Sequence, residues 1–147
     1  MIPILYDPLE TQFTSNGIGL LTDAVSCIVE EERNGGFELT LQYPQEGHLA
    51  EYIVEDAIIK AKPNDYDEDQ LFRIYKSGKP VGGVNTYYAE HISYELNMNP
   101  VCRPNIAGKT AQEAITQLLE DAAIQNNYTA WSDITTRNST QIDDVLS

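Results

Sequence analysis

The strictest pattern in the chain lies between Phe37 and Tyr43, where Phe37, Leu39, Leu41 and Tyr43 alternate with Glu38, Thr40 and Gln42. Strand side chains point to opposite faces in turn, so this segment predicts a strand with one dry and one wet face. The stretch before it, residues 23–32, is rich in β-branched residues, and Arg33-Asn34-Gly35-Gly36 is a turn, so the two segments together predict a β-hairpin. Pro44 ends the second strand because it has no N–H for the next ladder bond. Further strands are expected over residues 2–6, closed by Asp7-Pro8, and over 57–61 and 71–76. A longer period-two run covers 84–96, with Val84, Thr86, Tyr88, Ile92, Tyr94 and Leu96 on one face. Loops are read at Asn16-Gly17-Ile18-Gly19, at the acidic stretch 63–70 and at Ser77-Gly78-Lys79-Pro80. Residues 45–54 place Leu49, Tyr52 and Ile53 at helical spacing, enough for a single turn.

After Pro104 the period changes. Thr110-Ala111-Gln112-Glu113 is a capping box, in which the threonine hydroxyl serves a free amide near the helix start and the glutamate reaches back. Behind it Ala111, Ala114, Ile115, Leu118, Leu119 and Ala122 make one apolar stripe, which predicts a helix over 111–125 ended by Asn126 and Asn127. Tyr128, Ala130 and Trp131 suggest another strand. Residues 139–146 read as a helix start, with a capping hydroxyl and acidic residues in the first turn. An isolated turn is unstable because nucleation is costly, so this end is expected to be a cut inside an element of a longer polypeptide. The pattern as a whole predicts an α+β, mainly antiparallel β fold: a β-rich domain over residues 1–103, then over 104–147 the start of a second, helix-containing α/β subdomain.

Composition supports the strands, since the aromatics are mostly tyrosine, nine against three phenylalanines and one tryptophan, and tyrosine suits a pleated surface with one wet side. The net charge of −14 repels a phosphate backbone, so stable nucleic-acid binding is not expected. The same charge can keep the chain soluble, draw a basic partner, or line a passage along which DNA slides without sticking. No apolar run approaches the ~20 residues that span a bilayer, so no membrane segment is expected. The start Met1-Ile2-Pro3-Ile4 lacks a basic signal-peptide region, which points to synthesis in cytoplasm.

The candidate chemistry is sparse. Cys27 and Cys102 stand far apart without CxxC spacing or a nearby histidine, so neither zinc nor a redox pair is implied, and Cys27 reads as a small buried hydrophobe. Of the two histidines, His48 beside Gly47 reads as a solvated surface residue. His91 shares a predicted strand face with Ala89 and Ser93, but residues two apart on a strand are ~6 to 7 Å apart at the backbone, too far for most nucleophile–base bonds. Asp65, Asp67, Glu68 and Asp69 lack the glycine and terminal glutamate of a calcium loop and read as a solvated acidic loop. Among 23 acidic residues no pair is singled out for glycoside hydrolysis. The glycines form neither a GxGxxG nor a GxxxxGK[ST] motif, so no nucleotide cofactor is implied. Tyr87, Tyr88 and Tyr94 could stack on a sugar or base, although strand alternation already accounts for them. No catalytic, cofactor-binding or metal-binding residue is assigned.

Four segments carry a resemblance: Gly36-Phe37-Glu38-Leu39-Thr40-Leu41-Gln42-Tyr43-Pro44, residues 53–62, Leu71-Phe72-Arg73-Ile74-Tyr75, and Tyr88-Ala89-Glu90-His91-Ile92-Ser93-Tyr94-Glu95-Leu96. Together with the helix start Gly108-Lys109-Thr110-Ala111-Gln112-Glu113-Ala114, they resemble the N-terminal region of tail-associated proteins of long-tailed phages and prophages. That family is described as prophage tail endopeptidase or phage minor structural protein. The resemblance implies a small β-barrel-like hub domain with an inserted helical part, similar to the baseplate hub of contractile-tailed phages, assembled as a homotrimer around the tail axis. It implies a place at the virion tail tip, closing the tail tube, with the distal tail protein, a tail fibre or receptor-binding protein and the tape-measure protein as partners. Any lysin activity of the family lies in a later part of its chains, so no enzymatic activity is expected here. The alternative expectation is a carbohydrate-binding module that recognises host surface glycan through Tyr87, Tyr88 or Trp131. A hydrolase built on His91 is the third.

Overall fold

A computed structural model describes residues 2–102, 104–137 and 145–146. Its elements in chain order are β1 (Ile4–Tyr6), β2 (Gly19–Leu20), β3 (Ser26–Glu31), β4 (Phe37–Pro44), β5 (Ile58–Ala61), β6 (Gln70–Ser77), β7 (Val84–His91), β8 (Val101–Cys102), α1 (Ala111–Glu120) and β9 (Val145–Leu146). Two 3-10 segments, Ala50–Tyr52 and Ile92–Met98, complete it. The chain divides into two compact units, Met1–Ile92 and Ser93–Ser147.

The first unit is one antiparallel sheet of seven strands in the order β2-β1-β5-β6-β7-β4-β3, curled into a half-barrel. Its two end strands, β2 and β3, are consecutive in sequence and joined by residues 21–25. The hairpin read from the alternation is β3–β4, in register from Ser26 opposite Gln42 to Glu31 opposite Phe37. Asn34 takes the left-handed conformation at φ 58° in its turn, a role for which asparagine is suited. On β4 the dry positions Leu39, Leu41 and Tyr43 are buried, while Glu38 and Gln42 are exposed.

The core fills the concave side. Leu5, Leu39, Leu41, Tyr43, Ile59, Phe72, Ile74 and Ala89 are its interior, closed at the ends by Leu21, Leu49 and Ile53. Fully burying one such large side chain contributes about 1.5–3 kcal/mol. β1 and β5 are buried on both faces. Their outward residues Ile4, Tyr6 and Ile58 pack under Phe13, which meets the Tyr6 ring edge-on at 5.1 Å between centroids. The Tyr6 hydroxyl donates to the Phe13 and Ser15 carbonyls, pinning the loop after β1 across the sheet.

The run over 84–96 is shorter as a strand than its alternation suggests. β7 stops at His91, and Tyr94 and Leu96 lie in the 3-10 segment. The face toward the core is that of Tyr87 and Ala89, the opposite parity to Val84, Thr86 and Tyr88. Small Ala89 sits in register between Leu39 and Ile74, and there the apolar contact decides which face turns inward.

In the second unit, β8 pairs with β9, and Thr110 caps α1 as expected. The Thr110 hydroxyl accepts from the Glu113 N–H at 3.3 Å, and the Thr110 N–H donates to the Glu113 carboxylate at 2.9 Å. The helix ends five residues before the expected 125. Ala122 bridges Val101, the Ala123 N–H donates to the Pro100 carbonyl, and the Ile124 N–H donates to Asn99 Oδ1, so these contacts pull the chain out of the helix. Residues 128–131 form no strand. Of the expected helix start over 139–146, residues 139–144 lie outside the described residues, and Val145–Leu146 is a strand.

Candidate functional site

The tightest polar constellation joins two stretches that sequence spacing keeps apart. Tyr43 is the last core residue of β4, and its hydroxyl emerges at the strand end, where a buried tyrosine needs a partner. It lies 3.4 Å from Asp23 Oδ2 and 3.4 Å from His48 Nδ1, and it accepts the Leu49 N–H at 3.4 Å. His48 Nδ1 is 2.7 Å from Asp23 Oδ2, and the His48 backbone N–H donates to the same oxygen at 2.9 Å. An ionised carboxylate only accepts, so Nδ1 carries the proton. The His48 side-chain and backbone bonds hold the Asp23 carboxyl below its ordinary value, and burial raises the Tyr43 phenol, which stays a donor. A Cβ on Gly47 would collide with the Tyr43 ring, so glycine there lets the loop close over it. His48 is an exposed surface residue, as read from the sequence, and also clasps Asp23. Among the described residues the hydroxyl that meets this imidazole is the Tyr43 phenol, at Nδ1 on the Asp23 side.

His91 ends β7 in an aromatic corner. Its ring stacks on Phe37 with centroids 4.6 Å apart, meets Phe72 edge-on at 5.6 Å, and places Nε2 3.0 Å from Gln70 Oε1. Burial lowers its pKa, favouring the neutral ring. Ser93 belongs to the second unit and lies in the 3-10 segment, so it does not share a strand face with His91.

The acidic residues fall into two different settings. In the loop over 63–70 the Asn64 side-chain Oδ1 accepts from the Tyr66 and Asp67 N–H groups, and Lys62 Nζ donates to the Asp65 backbone carbonyl. No group of three or more potential ligands could hold a metal ion among the described residues. On the outer face of the sheet, Glu30, Glu38 and Glu90 stand directly opposite one another across β3, β4 and β7. Like charges directly opposite destabilise a sheet, and at its β6 end the row meets Arg73, the register partner of Glu90. The Tyr75 phenol, at the register shift between β6 and β7, is raised by burial and by Glu38 and Glu90. Glu31 and Glu32 extend the acidic surface along the hairpin.

Tyr87 is buried and Tyr88 faces the opposite side, where Lys76 Nζ lies 5.6 Å from its ring centre, so the two do not form one stacking platform. Tyr94 is in the second unit, as is Trp131, which is exposed. Burial pushes the Cys27 thiol up to about 11, in keeping with its packing against the core, while Cys102 is exposed. The second unit has an open groove of about 550 Å³ between α1 and residues 122–130, lined by Leu119, Asn126, Tyr128 and Ala130. No helix among the described residues is long and apolar enough to cross a membrane.

Compared with known proteins, the chain matches no family model, no curated protein and no solved structure.

Proposed function

We propose that this chain is a structural component of the tail tip of a long-tailed phage or prophage, a baseplate-hub module that closes the tail tube and connects the distal tail ring to fibres or a downstream lysin domain. The observation that carries the reading is where the resembling segments fall. Four of them contain β4 and β5, lie within β6 and begin at the end of β7, and in the sheet these strands are the uninterrupted block β5-β6-β7-β4; the helix start over 108–114 belongs to the second unit. The part of the likeness that falls in the first unit thus lies on neighbouring strands, as expected if the shared feature is a barrel wall. A curled sheet with two end strands suits a part that completes itself against neighbours. The proposed partners are further copies in a trimer, the distal tail protein, the tape-measure protein and a fibre or receptor-binding protein, and the proposed location is the tail tip of a virion made in bacterial cytoplasm.

Immunogold electron microscopy of tail particles tests this. Antibody raised against residues 2–92 is expected to label one end of the tail, at the tip. Label along the tube, on the capsid or absent from intact particles would overturn it.

A further inference from the structure

We propose that the free edge of β3 is a strand-addition site for an extended, lysine- or arginine-bearing segment of another protein. This goes beyond the hub reading and does not rest on it. Among the described residues β3 pairs with β4 alone and ends the sheet. The hydrogen-bond phase identifies which groups are open. The Glu32 N–H donates to the Gly36 carbonyl, and bonding residues alternate along an antiparallel ladder, so Glu30, Ile28 and Ser26 bond to β4. The next ladder agrees: the Gln45 N–H donates to the Gly83 carbonyl, which turns Tyr43, Leu41 and Leu39 toward β7 and leaves Gln42, Thr40 and Glu38 for β3. The N–H and C=O groups of Cys27, Val29 and Glu31 therefore form the open edge.

Edges that must stay unpaired are usually blunted by charged side chains, above all lysine, by proline or by a covering element, and here the charges are the glutamates Glu30, Glu31 and Glu32. Residues 25–32 contain no lysine, arginine or proline. The outward face carries Ile28, 55% exposed, and then Glu30 and Glu32, while Val25, 60% exposed, and the exposed Glu31 stand at the two ends of the other face. Charge complementarity then selects the occupant. The row Glu30–Glu38–Glu90 meets Arg73 at its β6 end, and a basic side chain opposite Glu30 would give its open β3 end the same complement. A second copy would instead bring the same glutamates and a further net charge of −14. Backbone bonds to Cys27, Val29 and Glu31 would give affinity, and side chains on alternate positions would give the preference for basic residues.

The test is backbone amide exchange by NMR on the whole chain, with a synthetic peptide of alternating lysine and valine as probe and a glutamate–valine peptide as control. Exchange at Cys27, Val29 and Glu31 is expected to slow about tenfold or more on adding the lysine peptide, with the Ile28 and Glu30 amides, already in the ladder, changing far less. Glu31→Pro removes an edge N–H that does not face β4, a place where proline is tolerated, and is expected to abolish that protection. Glu31→Gln, which removes only the charge, is expected to weaken it a few-fold. Shifts spread over the acidic surface without protection of those three amides would overturn the proposal, as would equal protection by the glutamate peptide. Protection without any peptide, at concentrations where the chain dimerises, would assign the edge to a second copy and overturn the proposed occupant. Should Glu31→Pro not fold, the wild-type protection pattern alone decides between these results.

Discussion

The two units reach order by different means. In the first, seven strands enclose a contiguous core in which Leu5, Leu41, Tyr43, Ile59 and Phe72 are fully buried. In the second, Pro104 and Ala114 are the buried apolar side chains among the described residues, while Met98, Ile124, Trp131 and Ile134 are each more than half exposed. Its order rests on local devices: the Thr110 capping box, the paired bonds between Asn99 and Ile124, and the Arg137–Glu113 ion pair at 3.1 Å. Exposed ion pairs and caps contribute about 1 kcal/mol or less apiece, whereas core side chains contribute several. A region held by apolar burial sets global stability. One held by caps and exposed polar bonds opens first and gains most from a partner.

The sharpest way to break this contrast is to truncate one apolar residue in each unit. Phe72→Ala is expected to destabilise the first unit by about 3–5 kcal/mol in urea unfolding, and Ile115→Ala to cost less than about 1 kcal/mol. Equal costs would remove the distinction. Thr110→Ala is expected to cost about 1 kcal/mol, seen as lost helical circular dichroism, without moving the urea midpoint of the first unit. Tyr43→Phe, which strips the hydroxyl from the Asp23–His48 clasp but keeps the core ring, should lower the unfolding free energy of the first unit by about 0.5–1.5 kcal/mol. The smallest effect is a pH dependence in the first unit. Burial lowers the folded His91 pKa below its ordinary 6.5, so the unfolded chain takes up the proton first. Stability should fall as pH drops below that value and level off past the lowered one, and His91→Gln should flatten this part of the profile. The Asp23 contribution lies in a separate window, lost as pH falls below 3.8 through its own lowered value.

The β3–β4 hairpin was legible because Leu39, Leu41 and Tyr43 alternate with polar residues, and the α1 start because Thr110 and Glu113 stand at capping distance. The end of β7 was not. Tyr87 and Tyr88 are equally aromatic, so hydropathy could not tell which faces inward, and no glycine or proline marks the change at Ile92. The end of α1 was hidden for a related reason: Ala122 and Ala123 favour helix, and contacts with Asn99, Pro100 and Val101 override them. The Asp23–His48 clasp joins residues 25 apart and exists only once the sheet curls. The one hint was Tyr43, a core tyrosine at a strand end whose hydroxyl required a partner.

The central claim, that the chain is an assembly module of a tail hub, is tested most directly by mass in solution. Light scattering on a sizing column is expected to give a trimer. A well-folded monomer across the accessible concentration range would contradict the account.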